Sequence, residues 1–170
     1  MVRPLHLIAA IMLAVFALPA LASQPLLIYE RTHAQVAHED NTFRLVLFDD
    51  DFVELHFPFY SPQAGDYRWQ VSSAEREALL NLAAPIAGVD ARSLVELESR
   101  QGTLEHAVVT DADPVTIELN DASRGSNRVT APSPEIWARN LPDGHEMAAV
   151  ADIARHLADW MREHVRELQP

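Results

Sequence analysis

Cysteine is absent from the 170 residues, and so is lysine. Without a thiol there is no disulfide, no thiolate chemistry and no site for a lipoprotein anchor. The missing lysine makes all 13 basic residues arginine, a bias that GC-rich coding produces unaided and that carries no mechanism. Positive charge is scarce overall: 25 acidic residues leave a formal net charge of −12. Such a surface repels phosphate backbones and anionic lipid, which disfavours nucleic-acid binding and tolerates cationic partners or divalent ions. Glycine numbers only five, and Gly125 in Arg124-Gly125-Ser126-Asn127 lacks the repeated glycines of a phosphate cradle. There is no G-x-S-x-G, no internal repeat and no low-complexity tract. No residue pattern specifies a reaction or a cofactor.

What is present begins with the N-terminus. Met1-Val2-Arg3 carries one positive charge, Leu5–Leu18 is almost continuously apolar, and Ala20-Leu21-Ala22 is a small-residue cleavage site before Ser23. These are the three regions of a secretory signal peptide, and the apolar run is short for a membrane span of roughly 20 residues. The expectation is a leader over 1–22, export to the periplasm or beyond, and a single domain over 23–170 with no stable membrane insertion after cleavage. A mature chain of that length can bury a core without staples.

The stretch from Phe43 to Trp69 organises the rest. It holds Phe43, Phe48, Phe52, Phe57, Phe59, Tyr60, Tyr67 and Trp69, most of the chain's aromatics. Phe43–Phe48 and Phe52–Phe57 flank Asp49-Asp50-Asp51, two β-prone runs around a polar turn. A three-residue loop pairs Phe43, Leu45 and Leu47 with Phe57, Leu55 and Val53, so one face is wholly apolar. A two-residue loop would put Glu54 and His56 on that face. The three-residue loop is therefore expected, with an Asp in the left-handed position that usually goes to Gly. In this register Val46 lies on the solvent face and tolerates charge better than Leu45.

Pro25–Arg31 reads as a first strand, Thr32–Asn41 as a loop, and Asp66–Val71 as a further strand with Tyr67, Trp69 and Val71 on one side. Ser72 and Glu75 are spaced as a capping box, and Ala78, Leu79, Leu82 and Ala83 supply the apolar face of a helix that Pro85 stops. A second helix is expected over Ala91–Arg100, then a run over Thr103–Thr110 and a half-buried strand over Val115–Asn120. Asp121–Asn127 reads as a loop and Glu135–Leu141 as a last strand carrying Trp137. The C-terminal segment is a long helix, with Asp143 and Glu146 as a second capping pair. Its stripe is Met147, Val150, Ala154, Leu157, Met161 and Leu168; Arg155, Arg162 and Arg166 share the far side with Glu163 and Glu167 as an ordinary solvated face. Elements come in blocks rather than in β-α alternation. The fold class is α+β: an antiparallel sheet with helices packed on one face and a long C-terminal helix.

Ile28-Tyr29-Glu30-Arg31, the hairpin, Ala64-Gly65-Asp66-Tyr67, the Ser72–Leu80 helix start and Trp137 before a long helix resemble a group of small secreted proteobacterial proteins. Members carry a tyrosine-arginine strand, an Asp-Gly hairpin turn and a Gly-Asp-Tyr strand leading into a Ser-capped helix. This chain departs at the turn, where Asp49-Asp50-Asp51 contains no Gly. The resemblance implies export and single-domain architecture, and assigns no site.

Eight histidines invite a search for metal ligands. His145-Glu146 opens like a zinc-protease motif, but Ala149 stands where the second His belongs. His156 and His164 lie roughly 80° apart around their helix and are expected to be exposed. Asp49, Asp50 and Asp51, with His56, are the candidate ligands for a hard cation, although the spacing is not that of an EF-hand. A solvated tip that blocks edge pairing accounts for the same acids. Phe57-Pro58-Phe59-Tyr60-Ser61-Pro62 is the strongest functional candidate, an aromatic-proline segment ending a strand; Phe59, Tyr60 and Tyr67 are the candidate partner-binding residues. The competing reading folds Phe59 and Tyr60 under the loop onto the C-terminal helix. The expected function is a non-catalytic binding or accessory module with an envelope protein as partner and no cofactor. The alternative is a metal-dependent or acid-base hydrolase using His38, His56 and nearby acids, which inward convergence of His33, His38 and His56 would favour. A third reading is an envelope-assembly subunit docking through the C-terminal helix.

Overall fold

The computed structural model describes residues 23–91, 94, 113–139 and 145–168. Strands β1 (Pro25–Thr32), β2 (Thr42–Phe48), β3 (Phe52–Phe57) and β4 (Gly65–Gln70) lead into helix α1 (Ser73–Ala83) and a 3₁₀ turn (Ala84–Gly88). After them come β5 (Pro114–Asp121), β6 (Gly125–Pro132), the short helix α2 (Pro134–Ala138) and the long helix α3 (Glu146–Leu168). The six strands form one antiparallel sheet in the order β4-β3-β2-β1-β5-β6. The class is α+β, with helices on one face.

The hairpin has the expected register: Leu45 pairs with Leu55 and Leu47 with Val53. Asp51 takes the left-handed position, with φ 65°. Its neighbours hold the tip, since the Phe52 N–H donates to Asp50 Oδ1 at 3.3 Å and the Asp51 carboxylate meets Arg76 at 3.4 Å. Because strand side chains alternate, Leu27, Tyr29, Leu45, Leu47, Leu55 and Phe57 share one face with Ile117 and Leu119, all buried. They pack against Leu79, Leu80 and Ala83 of α1, Ile86 of the 3₁₀ turn, and Met147, Val150, Ala154, Leu157 and Met161 of α3 in one cluster. The stripe of α3 is thus consumed by the core. Its described residues face the core rather than solvent. Val165 continues the stripe, and the Leu168 side chain lies outside the described residues.

The capping box at Ser72 forms in full: Glu75 N–H donates to Ser72 Oγ, and Ser72 N–H to Glu75 Oε2. Leu80, rather than Ala78, completes the buried face of α1. Val46 departs from expectation more sharply. It lies on the charged face, yet is 3 % exposed, flanked across the strands by Ile28 and Glu54.

Two elements differ outright. Asp121–Asn127 is not a loop but the end of β5, a tight turn over 122–124 and the start of β6: Asp121 Oδ1 accepts from the Ser123 and Arg124 N–H groups, and Gly125 with φ 108° starts β6. The positive φ favours glycine there, and a Cβ would also come within 3.2 Å of Ala87 Cβ, a tight contact. Asn127 then donates to the Ile86 and Val89 carbonyls, tying β6 to the 3₁₀ turn. The expected strand over Glu135–Leu141 is instead helix α2. Ser133 turns the chain with φ 38°, and Pro134 takes the first helical position, where its missing N–H costs nothing. The run over Thr103–Thr110 and the Asp143 cap lie outside the described residues, as does most of the helix expected over Ala91–Arg100. Ala91 and Leu94 from it are helical, with Leu94 buried.

Candidate functional site

The proposed metal ligands do not come together. Asp49–Asp51 sit at the hairpin tip, whereas His56 is near its open end, opposite Arg44 on β2 and Asp66 on β4. The tip acids are engaged locally: Asp49 accepts from the Gln24 N–H and Asp50 from the Ser23 hydroxyl. Among the described residues no group of three or more His, Asp or Glu is arranged to hold a metal ion.

His56 bridges two carboxylates. Its Nδ1 lies 2.7 Å from Asp66 Oδ1 and its Nε2 2.7 Å from Asp40 Oδ1. Burial opposes the charge on this ring, but the hydrogen bonds to Asp66 and Asp40 outweigh it and raise the His56 pKa above its usual 6.5. The hydrogen bond to His56 correspondingly lowers Asp40, whose other oxygen accepts from the Phe59 N–H at 2.8 Å. Imidazolium with both N–H groups donated has no lone pair for a substrate proton. The cluster is a clamp that joins β3, β4, the 33–41 loop and the start of the aromatic segment. His33 does not converge on it, packing on Phe43 and Tyr60, whereas His38 stands beside it, its Nδ1 accepting from the Asp40 N–H at 3.0 Å and its ring resting on Phe59. His164, expected to be exposed, is half-buried and stacks on Trp160 at 3.9 Å. His156 is exposed as expected.

The three aromatic candidates have different fates. Phe59 is 55 % exposed. Tyr60 is half-buried against His33 and Phe43, not against α3. Tyr67 packs edge-on to Phe57 and donates its hydroxyl to the Gln63 carbonyl at 2.9 Å, which anchors the Ser61–Gln63 turn.

That turn forms one wall of a cavity. A void of about 400 Å³ lies between the helix-covered sheet face and the C-terminal half of α3, lined by Tyr29, Arg31, His33, Phe43, Phe57, Ser61, Pro62, Gln63, Ala158, Met161, Arg162 and Arg166. Tyr29 and Arg31 follow Leu27 on the core face of β1, and Arg31 is paired with Glu135 of α2. Tyr29 is fully buried, its pKa raised chiefly by burial, so its hydroxyl is neutral. The Arg31 guanidinium lies beside that hydroxyl and interacts with it; neither the Tyr29 hydroxyl nor Arg31 Nε, both buried, has a well-aligned hydrogen-bond partner.

A larger void of about 700 Å³ lies on the opposite, open sheet face, near His56. Its charges are already paired: Arg44 with Glu30 at 3.2 Å, Arg68 with Glu54 at 3.5 Å, and His56 with its two acids. Size favours this groove, and unmet hydrogen-bonding demand favours the smaller cavity. Demand is the better guide, because a groove of satisfied ion pairs gains little from a ligand.

Neither half of the smaller cavity is evident from the chain alone. One signal was available: an arginine two residues after Tyr29 continues an otherwise apolar strand face. Arg162 and Arg166 are exposed, as expected of a solvated face, and also border the cavity. No protein-family model matches the chain, and neither a curated protein nor a solved structure matches it.

Proposed function

We propose that this chain is an exported binding module that takes a small molecule between its sheet and α3. The carrying observation is a cavity beside the core whose described lining holds Arg31, Arg162 and Arg166 and no acidic side chain, next to the imperfectly paired Tyr29 and Arg31. Export rests on the three-part N-terminus ending at Ala22. The hydrolase alternative draws no support from His56, whose ring nitrogens are both committed to carboxylates. A second reading gives the exposed Phe59 to a protein partner in the envelope, since a lone open aromatic beside a proline-rich turn suits a recognition contact.

The test is intact mass under native and denaturing conditions on full-length chain expressed and recovered from the periplasm. The denatured mass should correspond to a chain starting at Ser23, and the native mass should include an adduct. Ala158→Phe, which fills the cavity from α3, should remove the adduct. Uncleaved protein in the inner membrane would defeat the export reading. An adduct-free protein whose melting temperature responds to no small molecule would defeat the cavity reading.

A further inference from the structure

We propose that the cavity between the sheet and α3 binds a monoanionic amphiphile, a carboxylic acid with a compact apolar body. This rests on the binding reading and adds the class of ligand.

The first argument is charge against composition. The chain has nearly two acidic residues for every basic one, yet the described cavity lining contains Arg31, Arg162 and Arg166 and no Asp or Glu. Arg31 is paired with Glu135 and Arg162 with Asp159, while Arg166 has no ion-pair partner among the described residues. One positive charge is left over, which matches one anion. His33 also borders the cavity, 4.0 Å from Asp113.

The second argument is donor polarity. Arg31 Nε–H can only donate, and the Tyr29 hydroxyl has a proton to give. A carboxylate offers two oxygens and about four acceptor positions, which suits a wall whose polar groups are donors and guanidinium ions. An ammonium has no lone pair to accept from them and meets three arginines.

The third argument is the rest of the wall. Phe43, Phe57 and Met161 offer rings and a thioether, with no further charge. A simple anion such as phosphate would leave that surface wet. The void holds the volume of roughly 13 water molecules at about 30 Å³ each, which suits an acid of about that many heavy atoms.

The experiment is calorimetric titration of the mature protein, stripped of any adduct, with decanoate, 4-phenylbutyrate, 1-decanol, decylammonium and inorganic phosphate. One or both acids should bind saturably; decanoate alone would indicate an acyl chain and phenylbutyrate alone a ring. Decanol should bind at least tenfold more weakly than decanoate, and decylammonium and phosphate not at all. Arg166→Gln, at an exposed position, should weaken acid binding at least tenfold, with partial recovery in Arg166→Lys. Tyr29→Phe should leave the unliganded melting temperature unchanged or higher, because it deletes an unsatisfied hydroxyl, and should weaken the acids. Decanol binding as tightly as decanoate, or Arg166→Gln without effect, would overturn the anionic ligand. If no probe binds but a neutral or cationic adduct occupies the native protein, the ligand class falls and the binding reading stands. If no probe binds and no adduct exists, both fall.

Discussion

Leu45 and Val46 are neighbours on the central strand β2, both buried, and differ only in the sheet face they occupy. Leu45 is sealed beneath the helices, whereas Val46 borders the open groove with Glu54 across from it. Leu45→Ala should cost about 2–5 kcal/mol, because the void cannot reach solvent. Val46→Ala should cost about 1.5 kcal/mol, two methyl-sized groups at about 0.8 each, with little cavity penalty because the groove is open. Lysine separates the faces further. At position 46 its stem can run along the groove and its ammonium can reach water and Glu54, for a loss under about 2 kcal/mol. At position 45 the charge enters the core unpaired, and a loss beyond about 4 kcal/mol is expected. The assay is urea unfolding followed by tryptophan fluorescence. With a slope of about 2 kcal/mol per molar, the two lysine variants should differ by at least about 1 M in midpoint. Equal losses would mean that both faces are closed. A larger loss at Val46 than at Leu45 would mean that the hairpin register is wrong by one residue.

The His56 clamp predicts the pH profile of stability. A raised folded pKa means its stabilisation is fully present below pH 6.5 and lost as pH rises through the higher folded value. Asp40, lowered from 3.8, contributes stability present above that pH and lost as pH falls through its folded value. Melting temperature should therefore fall on the alkaline side, and His56→Gln, which still faces Asp40, Asp66 and Arg44, should flatten that limb. An unchanged alkaline limb would rule the clamp out as its cause. Tyr60→Ala should cost about 1–2 kcal/mol rather than the roughly 3–5 of a fully buried ring, since Tyr60 is half-buried against His33 and Phe43. Calorimetric melting decides it; a loss in the higher range would make Tyr60 a core residue and remove it from any recognition surface.

The hairpin was legible because two local constraints agree. Period-two alternation and loop length select the same register, and Asp at the left-handed position is tolerable. The capping box and the α3 stripe were legible for the same reason: their partners lie three or four residues away. Strand β6 was not, because Gly125-Ser126-Asn127-Arg128 has little β propensity of its own. It is a strand because β5 offers it a ladder and Asn127 holds the 3₁₀ turn. Trp137 reads as a strand residue until Ser133 and Pro134 are recognised as a helix start.

Composition and short-range pattern alone determined the absence of thiol chemistry, the acidic surface, the hairpin, the first helix cap and the amphipathic C-terminal helix. Each depends on residues adjacent in the chain or one turn apart. Tertiary structure decided which charged groups meet. It closed His56 between Asp40 and Asp66, buried Val46 on a polar face, and set Tyr29 and Arg31 opposite Arg162 and Arg166 from the far end of the chain. A cavity is made by what two packed surfaces fail to fill, and neither surface carries that information by itself.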